Sequence, residues 1–129
     1  MTGSTSFALQ GLPFDPKDID IQTDEKGAYE IELIFMENVI KPVSYSSNGF
    51  IRSHFGKLFV DGMDVEIIGD IEKLVDGQWE RTPHLNNIKR FIHVNDMRLP
   101  VLSLDYEADA YRKIGRIEKA EIIANYPKF

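Results

Sequence analysis

Two aspartates at alternate positions of the segment DIDIQ are the residues of this chain best suited to chemistry. Asp18 and Asp20 are separated by Ile19, and Ile21 follows them. Successive side chains of a β-strand point to opposite faces, so both carboxylates would share one face and both isoleucines the other. Paired carboxylates offer the hard oxygen ligands that Mg²⁺ prefers. The spacing therefore predicts a metal site on one face of a strand.

A second acidic segment, MDVEIIGD, could complete that site. Asp64 and Glu66 share one face of the predicted strand, while Val65 and Ile67 take the other. If this strand lies beside the first, one of the two acids makes a three-carboxylate cluster, which suits two Mg²⁺ ions about 3.5–4 Å apart. We favour Glu66, with Asp64 as the alternative. Because the chain has 21 acidic residues, a solvated strand face is the competing interpretation of either pair.

A glycine–serine pair, Gly3 and Ser4, stands at the start of a predicted short helix. Glycine lets a ligand approach the backbone closely, and the first N–H groups of a helix have no partner within it. Such a turn is suited to a phosphate. Near the other end of the chain Arg116, in the basic segment YRKIGRIEK, is a candidate for the rim of a triphosphate or pyrophosphate site. A solvated helix face is the alternative for that segment.

The elements that must position these residues follow from periodicity and turn residues. Helices are predicted from Ser4 or Thr5 to Gln10, over Lys26–Ile40, over Leu104–Ile114 and over Arg116–Asn125. Strands are predicted over Asp18–Gln22, Val43–Tyr45, Phe50–Phe55, Lys57–Val60, Met63–Ile68, Arg90–Val94 and Met97–Leu102, with residues 70–89 irregular. The turn residues Asp61-Gly62 and Asn95-Asp96 predict hairpins between the strands that flank them. This pattern predicts an α+β fold with a mixed or antiparallel central sheet and helices mainly on one side.

Composition narrows the class of protein. We expect the 129 residues to form one domain, with 43% hydrophobic and 28% charged residues as in ordinary globular proteins. The net charge of −6 argues against a broad nucleic-acid surface. No apolar run is long enough for a membrane span, and the absence of cysteine favours the cytoplasm. P-loop, GxGxxG, GxSxG and HExxH motifs are all absent.

Taken together, the segments TGSTSFALQG, DIDIQTD and MDVEIIGD resemble the nucleotidyltransferase superfamily that includes DNA polymerase beta. In that family a Gly-Ser turn opens a helix, a strand carries D-x-D, and a later strand carries a third acid. The order of elements is similar to that of the small lincosamide nucleotidyltransferases and of other small single-domain bacterial proteins of this type. The family usually has a helix and a strand before the turn, and we expect these to be missing here.

The resemblance implies a role for each residue. Gly3 and Ser4 would hold a triphosphate, Asp18 and Asp20 would bind two Mg²⁺ ions, and Glu66 or Asp64 would complete the site. Arg116 would assist at the phosphates. The implied reaction moves an NMP from an NTP to a hydroxyl of a small molecule or protein and releases pyrophosphate.

Two other hypotheses stay open at this stage. Glu66 stands where the family more often has aspartate, which also fits an inactive nucleotide-binding or interaction module resembling those of toxin–antitoxin pairs. A domain that only binds divalent cations is the remaining hypothesis. The acceptor, the preferred base and the formation of a homo-oligomer are left open by the sequence.

Overall fold

The computed structural model describes residues 1–125, which contain both helices and strands. Its helices are α1 (Gly3–Leu9), α2 (Glu25–Ile34), α3 (Leu104–Lys113) and α4 (Ile117–Asn125). Its strands are β1 (Asp18–Thr23), β2 (Val39–Ser47), β3 (Ile51–Val60), β4 (Met63–Val75), β5 (Gln78–Arg81), β6 (Lys89–Val94) and β7 (Met97–Leu102). Among these residues no helix is long and apolar enough to cross a membrane.

The main sheet is mixed, which confirms the predicted fold class. Its strand order is β1-β4-β3-β2, with β5 paired to the far end of β4. Strand β1 runs parallel to β4, whereas β3 pairs with both β4 and β2 in antiparallel fashion. Strands β6 and β7 form a separate hairpin. The two predicted acidic strands are therefore direct neighbours.

Helix α2 covers one face of this sheet and forms the larger core. Ala28 of the helix packs on Val65 and Ile67 of β4 and on Leu58 of β3, all of them buried. Gly69 allows the close contact, since a Cβ there would lie 2.8 Å from the Ala28 Cβ. Burial of the odd-numbered side chains of β4 turns its even-numbered acids to the other face.

A second core joins the two ends of the described chain. Phe7 of α1, Ala108 of α3 and Ile123 of α4 are buried together with Leu12 of the following loop. The ring of Tyr111 on α3 lies 6.2 Å from that of Phe7. Through this cluster α3 and α4 are packed against α1, the helix that begins with Gly3 and Ser4.

The predicted helix Lys26–Ile40 was too long. Helix α2 ends at Ile34, a 3₁₀ turn follows over Met36–Asn38, and β2 begins at Val39. Pro42 lies inside β2. The strand is at the edge of the sheet, and an edge strand tolerates a residue that lacks a backbone N–H.

The predicted strands were also too short. Segments Phe50–Phe55 and Lys57–Val60 belong to the single strand β3, and β4 continues past Gly69 to Val75. Residues 70–89 are thus not irregular throughout, because they contain the end of β4 and all of β5. Glycine in both strands serves close packing rather than termination. At Gly56, for example, a Cβ would lie 2.7 Å from Val43 Cγ2.

Turn residues gave accurate boundaries elsewhere. Asp61 and Gly62, with φ of 49° and 79°, form the predicted tight hairpin between β3 and β4. Ser103 caps α3 by accepting a hydrogen bond from the Tyr106 N–H, and Gly115, with φ of 83°, separates α3 from α4. The hairpin of β6 and β7 agrees with the predicted one to within a residue.

Candidate functional site

The pairing of β1 with β4 brings three carboxylates together. The register aligns Asp18 with Asp64 and Asp20 with Glu66. Asp18, Asp20 and Glu66 each place one carboxylate oxygen within 4.8 Å of the other two. Asp64 is exposed and lies outside this group among the described residues. Of the two candidates for a third acid, Glu66 is therefore the one that lies close to Asp18 and Asp20.

The electrostatics of the cluster favour a bound cation. Partial burial and the neighbouring Glu66 raise the pKa of Asp20 to about 7, and Asp18 adds to the shift, while Lys119 opposes it. The Oδ1 atom of Asp20 is buried without a hydrogen-bond partner among the described residues. Three converging carboxylates with an unsatisfied oxygen match the hard ligand set of Mg²⁺, so the residues fit this ion.

The turn that begins α1 is fixed directly against these acids. The Thr2 N–H donates to the Asp20 carbonyl at 3.0 Å, and the Thr5 hydroxyl donates to the Asp18 carbonyl. Gly3 has φ of 73°, and a Cβ on it would lie 2.3 Å from the Asp20 carboxylate. Glycine is therefore required by both the backbone conformation and the space. Ser4 follows in the first turn of α1 and is half-buried.

A cleft of about 230 Å³ opens beside the cluster, between the sheet and α3. We call it the carboxylate cleft; its lining includes Gly3, Asp20, Gln22, Ile68, Ile71, Lys73, Tyr106, Glu107, Tyr111 and Arg116. Three buried polar atoms in this lining have no partner among the described residues, namely Asp20 Oδ1, Gln22 Nε2 and Glu107 Oε2. Buried polar atoms are normally satisfied, so their concentration in one apolar-walled cleft indicates a place for a polar ligand.

Comparisons with a family model and with a solved structure confirm the resemblance to nucleotidyltransferases. Residues 1–122 match the model of the family described as aminoglycoside-2''-adenylyltransferase. The chain belongs to this family. It is also 58% identical to a proposed nucleotidyltransferase from Thermotoga maritima of known crystal structure, with a TM-score of 0.84. That match covers 95% of this chain and 77% of the other. A comparison with curated proteins gave no match.

Membership of this adenylyltransferase family supports an enzyme of nucleotidyl transfer. Two cationic side chains lie on the α3–α4 side of the carboxylate cleft. Arg116, predicted from sequence, lines the carboxylate cleft, with its Cζ 5.4 Å from the centre of the Tyr111 ring. Lys119, which belongs to the same basic segment YRKIGRIEK, lies 4.5 Å from the same centre. The charge of Lys119 lowers the pKa of Asp20, so this cation acts at the acidic cluster.

Two further residues that line the carboxylate cleft, Gln22 and Glu107, were not predicted from the sequence. Gln22 continues the face of Asp18 and Asp20 by one more alternation along β1, and that spacing could have indicated it. Glu107 is only 4% exposed and accepts a hydrogen bond from the Thr2 hydroxyl. Its signal was an acid on the buried side of a helix, between Leu104 and Tyr111 at i−3 and i+4.

Proposed function

We propose that the chain transfers an NMP from a Mg-bound NTP to a hydroxyl of a small molecule or protein, with release of pyrophosphate. The observation that carries the proposal is the convergence of Asp18, Asp20 and Glu66 next to the Gly3–Ser4 turn and at the edge of a cleft. Family membership supports nucleotidyl transfer in general. The metal, the orientation of the donor and the hydroxyl acceptor go beyond what family membership supports.

The three carboxylates would hold Mg²⁺. When bound, the ion would neutralise negative charge at the phosphates and increase the electrophilicity of the α-phosphorus. Burial raises the pKa of Asp20, and repulsion from Glu66 and Asp18 adds to this shift. The bound cation would offset that repulsion. Since Asp18 and Asp20 come from one strand and Glu66 from its parallel neighbour, the ladder between the strands holds the ligands at a fixed separation.

The donor would lie along the carboxylate cleft. Its triphosphate would meet the Gly3–Ser4 turn, where the absence of a Cβ permits close approach, with Arg116 and Lys119 balancing the charge. Its nucleoside would enter the part of the cleft lined by Ile68, Ile71 and Tyr106. The unpaired Gln22 Nε2 could then donate to a base or ribose acceptor.

The acceptor oxygen would attack the α-phosphorus as the bond to the pyrophosphate oxygen breaks. Glu66 is the group of this chain placed to take the hydroxyl proton, because it lies in the cluster on the side away from α1. The Lys57 ammonium lies 3.7 Å from Glu66 Oε1 and forms an ion pair with this carboxylate. Most of the rate enhancement would come from positioning the two reactants and from the charge of the metal.

Calorimetric titration with Mg·ATP and Mg·GTP tests the donor site. We expect binding by the wild type and loss of binding in the double variant Asp18→Ala/Asp20→Ala. Asp64→Ala is the matched control, since this exposed acid of the neighbouring strand is outside the cluster and should bind as the wild type does. Equal heats from the double variant and the wild type, or no binding by either, would contradict the proposal.

Release of pyrophosphate in the presence of a panel of hydroxyl acceptors tests the transfer itself. The expected result is release that depends on both the acceptor and Mg²⁺. Binding of Mg·NTP without release across a broad panel would instead support the inactive nucleotide-binding module.

A further inference from the structure

Glu107 is a buried carboxylate for which the transfer reaction has no direct use. It lies on α3 with 4% of its surface exposed, next to the buried Ala108. Burial raises the pKa of Glu107 to about 7. Burying an ionisable group costs free energy of folding unless it is hydrogen-bonded. Buried polar groups whose hydrogen bonds are made can hold neighbouring elements in one arrangement.

The partners of this carboxylate are concentrated at the start of α1. Its Oε1 accepts a hydrogen bond from the Thr2 hydroxyl, across 105 positions of the sequence. The Gly3 backbone N–H, which is directed at this carboxylate, and the charge of Lys73 both lower the pKa of Glu107, against the effect of burial. The contacts thus join α3 to the two residues that lead into the Gly3–Ser4 turn.

These two residues also carry the contact with the metal ligands. The Thr2 N–H is bonded to the Asp20 carbonyl at 3.0 Å, and the Gly3 Cα packs against the Asp20 carboxylate. The N-cap Thr2 makes no side-chain bond to α1 itself, since its hydroxyl is directed to Glu107. The orientation of the turn is therefore set by β1 on one side and by Glu107 on the other.

We propose that Glu107 is a positioning residue, which holds the Thr2–Ser4 turn at the separation from Asp20 that a metal-bound triphosphate requires. It does so by fixing the Thr2 side chain and the Gly3 N–H, and it does not touch the reacting atoms. The part of this proposal that concerns the triphosphate rests on the proposed function. The part that concerns the turn is a property of the free protein and can be tested without nucleotide.

Amide hydrogen exchange in the free protein tests the anchoring. Thr2→Val removes one hydroxyl at nearly constant volume, and we expect exchange in the Gly3–Leu9 segment to quicken about tenfold while amides of β3 and β4 stay unchanged. Glu107→Ala should have the same local effect. Glu107→Gln keeps an oxygen that can accept from Thr2, so the exchange rates of the Gly3–Leu9 segment in this variant should stay within about threefold of those of the wild type.

Asp109→Asn is the control on the same helix. Asp109 is exposed and pairs with Lys113 at 3.4 Å, away from α1, so exchange in the turn should not change. Unchanged exchange in Thr2→Val, or faster exchange spread evenly over the β-sheet, would overturn the positioning role. Because the Thr2→Val change is small, this test remains decisive even if Glu107→Ala does not fold.

Kinetics with Mg·NTP test the functional part. A phosphate contact made equally in the bound donor and in the transition state contributes to binding alone. We therefore expect Thr2→Val and Glu107→Ala to raise the KM for Mg·NTP about tenfold, with kcat within threefold of the wild-type value. Glu107→Gln should have a KM close to that of the wild type. An unchanged KM in Thr2→Val would overturn this part. If the wild type binds no Mg·NTP, the proposed function fails, and the exchange experiment still decides whether Glu107 holds the turn.

Discussion

Two clefts in this protein contrast in what their polar groups do. A cleft at the N-terminal end of α2 has a volume of about 520 Å³, against about 230 Å³ for the carboxylate cleft. We call it the α2 cleft; its lining includes Thr23, Asp24, Glu25, Tyr45, His54, Asp70, Glu72, Arg81 and His84. Its larger volume and its many charged residues would favour it over the carboxylate cleft as a binding site.

The charged groups of the α2 cleft, however, are engaged in holding the fold. Asp24 caps α2 by accepting from the Gly27 N–H at 2.7 Å, and Asp70 accepts from the Glu25 N–H at 2.9 Å. Glu72 pairs with Arg52 at 3.0 Å. None of the buried polar atoms found without a partner in residues 1–125 belongs to its lining, whereas three belong to the carboxylate cleft. The carboxylate cleft is therefore distinguished as the candidate site by its buried polar atoms without hydrogen-bond partners, and not by its volume.

The largest effect expected from this contrast is a pH dependence of stability due to Glu107. Folding raises its pKa from 4.5 to about 7, so the folded state binds the proton more tightly than the unfolded state does. The stabilisation is complete below about pH 4.5 and is lost as the pH rises to about 7, which amounts to about 3 kcal/mol. Lys73 of β4 and the amino group of Met1 face Glu107 and oppose the shift.

Chemical denaturation at several pH values of the wild type and of Glu107→Gln measures this effect. Since Asp20 and other groups titrate in both proteins, the difference between the two curves isolates Glu107. The free energy of unfolding of the wild type should decline relative to that of the variant between pH 4.5 and 7. Parallel curves would show that Glu107 is not held neutral by the fold.

A second prediction compares two glycines of similar backbone conformation. Gly3 and Gly62 have φ of 73° and 79°, but a Cβ would be 2.3 Å from Asp20 at the first and have nothing within 4 Å at the second. Gly62→Ala should cost about 1 kcal/mol of unfolding free energy from the backbone alone. Gly3→Ala should cost about 2 kcal/mol and also weaken Mg·NTP binding, because the side chain displaces the Asp20 carboxylate.

Denaturation and calorimetry of both variants give the result. The prediction would be wrong if both variants lost the same unfolding free energy and Gly3→Ala bound Mg·NTP as the wild type does. The space beside Asp20 would then not be needed for nucleotide binding.

The smallest predicted effect is a change in Mg·NTP affinity, which is compared between one variant in each cleft. Gln22→Leu removes an unpaired buried amide from the carboxylate cleft, so stability should stay within about 1 kcal/mol of the wild type while Mg·NTP affinity falls about tenfold. His54→Ala alters the α2 cleft, where the imidazole contacts the Tyr29 hydroxyl at 3.3 Å, and should leave the affinity unchanged. The opposite result in calorimetry, with His54 important and Gln22 not, would place the ligand in the other cleft.

The sequence predicted those features that depend on a few neighbouring residues, and it failed for those that depend on tertiary contacts. Alternation marked Asp18, Asp20 and Glu66 because strand periodicity is contained in a few residues, and Asp61-Gly62 defined its hairpin for the same reason. The choice between Glu66 and Asp64 needed the strand register. The end of α2 was misplaced because β2 forms by pairing with β3, and this tertiary pairing overrides helical periodicity.

The contribution of Glu107 could not be derived in this way. Its hydrogen bond with Thr2 spans 105 positions, and it forms only once the second core has packed α3 against α1. Local patterns identify which residues can do chemistry, whereas the packing of distant elements decides which residues hold them in place.

The central claim, that Asp18, Asp20 and Glu66 converge to bind the metal of a nucleotide donor, is tested most directly by crystallography. Crystals grown with Mn²⁺ and a non-hydrolysable NTP would be examined for anomalous scattering. We predict two peaks about 3.5–4 Å apart among these three carboxylates, with the triphosphate against the Gly3–Ser4 turn. Peaks in the α2 cleft near Asp24 and Asp70, or nucleotide bound with no metal at the three carboxylates, would contradict the account.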